Sequence, residues 1–273
     1  MPDNGASSMN GQTASVIAVR DLVKRYGDVT AVDGVNFSVA TGSVTALLGG
    51  NGAGKTTTIA MLLGLVLPTS GDIRVFGEDM TRRRYAVLHR MNFESPYVNI
   101  PMRLTVRQNL DTFANLYGVL DPARRIAELA AELRLDEFLD RPAGELSSGQ
   151  KTRAALAKAL VNAPELLLLD EPTASLDPDT ADWIRAKLVE YRRARGATIL
   201  LASHNMQEVE RLADRVLMLE RGKIIEDGTP AELLRRFGRA NLEEVFLDIV
   251  RRRSREPGGA APVPSPAVPV EVE

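Results

Sequence analysis

Three short apolar runs constrain this chain more than anything else in it. SVTALLGG (43–50), ELLLLDEP (165–172) and ATILLASH (197–204) show no alternation of apolar and polar residues, and each ends in turn or polar residues. That is the pattern of strands covered on both faces. Helix-like sequence follows each run: KTTTIAMLLGLV, TADWIRAKLVEYRRAR and MQEVERLADRV. Strand and helix in alternation imply a parallel α/β sheet. Shorter alternating segments lie near the start (SVIAVRDLV, GVNFSVA) and at 72–76 and 215–227, and are expected to form an antiparallel subsheet on that core. The stretch from about 95 to 160 is different. TVRQNLDTFANLYGV, PARRIAELAAELRL and SGQKTRAALAKALVNA read as helices with no strand between them, an inserted helical subdomain. Thr105 and Gln108 have capping-box spacing and should start the first of these helices.

With 273 residues the chain is long enough for a substantial core, and with 44% apolar residues it has the means to fill one. Its formal charge of −2 gives no field that recruits nucleic acid. It has no cysteine, so disulfides and thiolate metal sites are excluded. No run approaches the roughly 18–20 apolar residues that span a bilayer. MPDNGASSMNGQTA is polar and lacks the basic and apolar regions of a secretory signal. The expected organisation is a disordered N-terminus over 1–14, one domain over 15–250, and a basic then Pro/Ala-rich disordered tail over 251–273.

GGNGAGKT (49–56) matches G-x-x-x-x-G-K-[ST]. In such a loop the backbone of Gly49, Gly50, Asn51, Gly52, Ala53 and Gly54 turns amide N–H groups toward phosphate. Lys55 reaches the β- and γ-phosphates, the Thr56 hydroxyl ligates Mg²⁺, and Thr57 continues the first helical turn, whose positive dipole end adds to the cradle. The alternative is a plain glycine turn, but the strand TALLG before it and the apolar helix after it are the context the motif requires. Asp170 ends a buried run and is placed to hold Mg²⁺; Glu171, one residue on, is placed to polarise a water for attack on the γ-phosphate. Taken alone, that pair reads equally well as a strand end closed by solvated charges.

ELSSGQ (145–150) resembles the signature sequence of ATP-binding cassette (ABC) proteins, usually LSGGQ, and departs from it only at Ser148. The resemblance extends over about residues 15–250 and includes other motifs in the expected order. It implies a fold with a RecA-like parallel-sheet core, an antiparallel β subdomain and the helical subdomain. It also implies that Ser147, Gly149 and Gln150 cap the γ-phosphate held by an opposite protomer. Tyr26 matches the aromatic that stacks on adenine, Asp177 of ASLD the loop at the dimer seam, and His204 the histidine that contacts the γ-phosphate. The other histidine, His89, matches nothing and is expected at the surface or on the side of a helix.

Glu94 stands out against this resemblance. Aligning FESP with the family's usual F-Q-x-P puts a carboxylate where a glutamine side chain touches Mg²⁺ and the attacking water. Gln108 is the next glutamine, but it belongs to a helix start and cannot substitute. Glu94 is therefore expected either to ligate Mg²⁺, making ATP binding more Mg²⁺-dependent, or to swing toward solvent; the substitution is also compatible with a slow switch.

The activity implied is ATP hydrolysis with ATP and Mg²⁺, by a head-to-tail homodimer that closes on ATP and powers a separate transmembrane permease. The chain would then sit at the cytoplasmic face of the inner or plasma membrane, held there by permease subunits. The ending GKIIEDGTPAELLRRF…NLEEVFLDIVRRR resembles exporter-type cassettes with ABC-2-like permeases for drugs, lipids or polysaccharides, and SPYVNIPMRL (95–104) suits contact with a permease helix. The competing class is a soluble ABC ATPase in a cytosolic complex. DNA-maintenance forms carry a long coiled coil between the phosphate loop and the signature, and translation forms carry two cassettes; this chain has neither feature. A P-loop kinase would leave LSSGQ and His204 unexplained. The stripe Leu242, Val245, Phe246 and Ile249 is expected to pack on the chain's own body, and RRRSR (251–255) to be a solvated helix end.

Overall fold

A computed structural model describes residues 15–95, 100–174 and 176–254, with the side chains of 252–254 excepted. Residues 1–14 and 255–273 of the expected disordered termini therefore lie outside the described residues, as do 96–99 of the loop assigned to permease contact.

The three apolar runs form β3 (Val44–Leu48), β7 (Leu166–Asp170) and β8 (Thr198–Ser203), buried along their whole lengths. They occupy the middle of a six-stranded sheet. Its order is β10 (Lys223–Gly228), β9 (Arg215–Glu220), β3, β8, β7, β6 (Met91–Glu94). All neighbours pair in parallel except β10 with β9. Side chains alternate across a strand, and both faces here need apolar cover. Leu166 and Leu168 of β7 join one core with Ile59, Met61 and Leu62 of α1 (Lys55–Leu62). Leu167 and Leu169 join another with Leu110, Leu129, Ile184 and Leu188. That two-sided burial explains why the run has no polar alternation.

The second sheet is antiparallel. Its order is β2 (Val29–Ala40), β1 (Ser15–Tyr26), β4 (Ser70–Val75), β5 (Glu78–Asp79). Its inner face closes over α1 through Val19, Leu22, Val35 and Ile73. Residues 215–227 are not part of it, which corrects the expectation from their alternation. β9 pairs in parallel with β3, matching Thr45 to Arg215 and Leu48 to Met218, because Val216, Leu217, Met218 and Leu219 are all buried and suit the core sheet. The Arg221–Gly222 turn, with φ of 48° and 77°, then returns β10 antiparallel at the sheet's edge.

The helical insertion has α2 (Val106–Leu116), α3 (Pro122–Leu133) and α4 (Ser148–Leu160). Thr105 and Gln108 form the expected capping box. Ile126, Leu129, Ala130 and Leu133 are buried at helical spacing on α3, contributing roughly 1.5–3 kcal/mol per large side chain. α5 (Pro178–Arg195) and α6 (Met206–Leu212) follow β7 and β8. α7 (Pro230–Phe237) and α8 (Leu242–Ser254) close the chain, α8 running four residues past the expected boundary at 250. Leu242, Val245 and Ile249 are buried against Ala46, Leu48, Val209 and Met218, with Phe246 partly buried beside them. The stripe packs on the chain's own body. His89 is exposed.

Candidate nucleotide site

The carboxyl ends of β3, β8 and β7 lie side by side, so the loops leaving them converge. The loop after β3 is Gly49–Gly54. Two of its glycines are sterically required. A Cβ on Gly49 would lie 2.4 Å from the Leu219 carbonyl oxygen, and one on Gly54, at φ 102°, 2.5 Å from that of Ala31. Gly222 braces the loop from the β9–β10 turn. It donates its N–H to the Ala53 carbonyl (3.0 Å) and accepts from the Asp33 N–H (2.9 Å). Gly54 caps α1, so the first-turn amides of Lys55, Thr56 and Thr57 have no acceptor inside the helix and face the loop with its dipole end. Gly50, Asn51 and Gly52 form the rim, with Ala53 buried beneath.

Lys55 is buried and donates to the carbonyls of Gly49 (2.7 Å) and Gly50 (3.2 Å). Its Nζ lies 3.8 Å from Glu171 Oε1. Burial lowers the Lys55 pKa, against the opposing fields of Glu171 and Asp170. The Thr56 hydroxyl donates to Asp170 Oδ2 at 2.9 Å. Asp170 is raised above the usual carboxylate value by burial, despite the Thr56 hydrogen bond and Lys55.

Glu171 follows β7 in a left-handed conformation (φ 54°), fixed by its N–H donating to Ala202 of β8. Its Oε1 lies 2.7 Å from His204 Nδ1, and its Oε2 accepts from the His204 amide at 3.4 Å. Behind this pair is Glu208, whose role the motif reading missed. It is buried and accepts from the hydroxyls of Thr173 (2.5 Å) and Ser203 (2.7 Å), joining the loop after β7 to the end of β8. The only sequence signal was the Asn205–Glu208 spacing of a helix start, and Asn205 does cap α6.

The remaining candidates lie elsewhere. Tyr26 ends β1 with its ring exposed and Lys24 Nζ 4.7 Å from the ring centre. Ser147 and Gln150 form a capping box at the start of α4. Gly149 lies against Thr180 of α5, the helix capped by Asp177. Glu94 pairs with Leu169, the residue before Asp170, and its side chain does not point to solvent. Its Oε2 lies 2.7 Å from Nζ of Lys158 on α4, both side chains being close to fully buried. The carboxylate thus faces a buried cation rather than solvent.

A loop of amides at a helix start, a buried lysine and a strand-end carboxylate beside a threonine hydroxyl define a P-loop nucleotide-binding protein. The comparisons narrow the class. Residues 32–174 match the family model for the ABC transporter. The Nod factor export ATP-binding protein I of Burkholderia orbicola (strain AU 1054) is 43% identical over 220 residues, covering 80% of this chain and 72% of that protein. The protein of that name from Rhizobium sp. (strain N33) is 40% identical over 234 residues, covering 84% and 76%. An ATP-binding subunit of an ABC transporter superposes with a TM-score of 0.79 at 30% identity, covering 86% of this chain and all of that one. CbiO1 of Clostridium perfringens, part of an ABC transporter complex, superposes at 0.72 and 29% identity, covering 88% and 95%. The chain belongs to the ABC transporter family; it is an ATP-binding ATPase cassette.

Proposed function

We propose that this chain hydrolyses ATP to drive export through a permease formed by other chains. One observation carries the reading: Lys55, Thr56, Asp170, Glu171 and His204 converge at one end of the parallel sheet. The similarity to Nod factor export ATP-binding proteins supports the direction of transport. No described helix is long and apolar enough to cross a membrane, so the transport path is assigned to separate subunits. The net charge of −2 gives no reason to add a nucleic-acid partner.

In this reading Tyr26 stacks on adenine, and the amides from Gly49 to Thr57 hold the phosphates. Lys55 exchanges its two carbonyl acceptors for phosphate oxygens. Thr56 and Asp170 fit Mg²⁺: they offer a hydroxyl and a carboxylate in contact, and burial disfavours the carboxylate's uncompensated charge. Mg²⁺ bound by phosphates needs only one or two such protein oxygens, and no three-residue metal cluster occurs among the described residues. When bound, Mg²⁺ neutralises charge on the phosphate oxygens. Glu171 takes a proton from the attacking water, while His204 fixes its carboxylate and faces the γ-phosphate.

In the same reading Ser147, Gly149 and Gln150, at the start of α4, cap the γ-phosphate held by an opposite chain, so two chains assembled head to tail complete two sites, with Asp177 at the seam. The assembly would lie against the cytoplasmic face of the membrane, held by the permease. The test is affinity purification from detergent-solubilised membranes, using Glu171→Gln with ATP. A stoichiometric integral-membrane protein is the expected companion; only soluble companions under several mild detergents would overturn the export reading and leave the ATPase standing.

A further inference from the structure

The Glu94–Lys158 pair is a buried ionic contact between two elements that the nucleotide chemistry does not otherwise join. Glu94 is the last residue of β6, and Lys158 lies near the C-terminal end of α4, whose first turn carries Ser147, Gly149 and Gln150. The Glu94 carboxylate is faced by Lys158 and by the Ser95 amide, and the lysine also lies over the Phe113 ring at 5.8 Å. Next to the pair, Asn92 of β6 donates to the Lys158 carbonyl (3.3 Å) and to Asn162 Oδ1 (2.8 Å), and accepts from the Tyr117 hydroxyl at the end of α2 (3.3 Å). Asn162 in turn donates to the carbonyls of His89 and Met91.

Apolar packing alone allows a helix to slide or rotate against a sheet. A buried charge pair and a set of directed amide bonds do not, because displacement separates the two charges and leaves the Asn92 and Asn162 amides without their partners. Five residues earlier on the helix, Arg153 lies over the ring of Trp183 on α5 at 5.0 Å. Trp183 is the chain's only tryptophan, so its emission reports where α4 sits.

We infer that Glu94 and Lys158 are a positioning pair: together they fix α4, and with it the signature loop at its N-terminus, in register against β6. The inference rests on the proposed reading for what the signature loop does, but the placement of α4 is independent of it. Neither residue touches nucleotide. Their effect passes through α4 to Ser147 and Gly149, and so reaches turnover in the assembled dimer while sparing the chain's own phosphate loop.

The experiment is a double-mutant cycle on the full-length chain with Glu94→Gln, Lys158→Met and the two combined, with Lys158→Arg as the variant that keeps the pair. Trp183 emission, ATP affinity of the nucleotide-free monomer at several Mg²⁺ concentrations, and kcat and KM for ATP are measured. Each single change should shift Trp183 emission and lower kcat about five- to tenfold. Monomer ATP affinity and its Mg²⁺ dependence should stay within twofold. The double variant should lose far less than the product of the singles, and Lys158→Arg should keep emission and kcat near wild type.

Multiplicative effects on kcat with unchanged emission would overturn the inference. So would a Glu94→Gln variant whose Mg²⁺ dependence moves while emission does not, which would return Glu94 to the metal. A shift in emission with no change in kcat would keep α4's placement and remove the signature loop's assumed role, separating the two claims. If the Lys158→Met single variant fails to fold, Glu94→Gln and Lys158→Arg still supply the emission and Mg²⁺ readouts that decide it.

Discussion

His204 Nδ1 and Glu171 Oε1 are 2.7 Å apart, a contact that, with the His204 amide donating to Oε2, ties the residue after β8 to the residue after β7. Glu171 reaches it from a left-handed backbone, held there by its own N–H on Ala202. A proton acceptor in this position accelerates water attack by about 10²–10⁴. Glu171→Gln should therefore lower kcat by about 100-fold or more while leaving ATP affinity nearly intact, as read by steady-state hydrolysis beside equilibrium nucleotide binding. His204→Ala should lower kcat in the same direction, since it frees the carboxylate from its partner.

Glu208 holds two hydroxyls behind that pair. Glu208→Ala removes the acceptor of both the Thr173 and the Ser203 hydroxyl, at about 1–3 kcal/mol for each buried donor left unpaired. Chemical denaturation should show the loss, and kcat should fall with it because the ends of β7 and β8 lose their shared brace. Adding Thr173→Val to Glu208→Ala should recover part of the stability, since the Thr173 hydroxyl is then no longer left without an acceptor; Ser203 is kept because its Oγ also accepts from the Asn205 N–H. Recovery of stability without recovery of kcat would show that alignment, not folding, sets the rate.

The glycines of the phosphate loop are not equivalent. Gly54→Ala puts a methyl 2.5 Å from the Ala31 carbonyl at φ 102°, while a Cβ on Gly50 meets nothing within 4 Å. Gly54→Ala should destabilise the nucleotide-free chain by about 2–4 kcal/mol, combining backbone strain with overpacking. Gly50→Ala should leave its melting temperature within about 2 °C. Thermal unfolding of the two variants without nucleotide makes the comparison.

Burial raises the Asp170 pKa; the Thr56 hydroxyl and Lys55 oppose that rise and Glu171 adds to it. The folded chain thus favours the protonated carboxyl. The stability this gives is fully present below the unfolded value near 3.8 and lost as pH rises through the higher folded value. Asp170→Asn has no such loss. Its melting temperature relative to wild type should climb across that window and stay higher at neutral pH. The same variant should lose Mg²⁺-dependent ATP binding. A constant offset at all pH values would show that Asp170 is not the group responsible.

Leu166 to Leu169 announced a central strand because both of the sheet's faces demand leucine, and Gly49 to Thr56 announced the cradle because few other arrangements of glycine, lysine and threonine serve phosphate. Residues 215–227 misled. Their apolar content suits either sheet, and which one they join depends on β3 lying beside them, a long-range pairing that local pattern does not encode. Lys158 was invisible for a related reason. In sequence it is one cation on an alanine-rich helix, and only the approach of β6 supplies Glu94. Glu208 likewise gains its meaning from Thr173 and Ser203, brought to it by different strand ends.

The bond from Gly222 to Ala53, with Asp33 bonded to Gly222 in turn, means that the phosphate loop is propped by a segment made late in synthesis. On the ribosome the motif at 49–56 emerges early, yet its brace cannot form until the β9–β10 hairpin has left the exit tunnel and paired with β3. A nascent chain stopped before residue 222 would carry every letter of the nucleotide motif and still lack the brace on its loop, so tight ATP binding should switch on late in translation, as the core sheet closes.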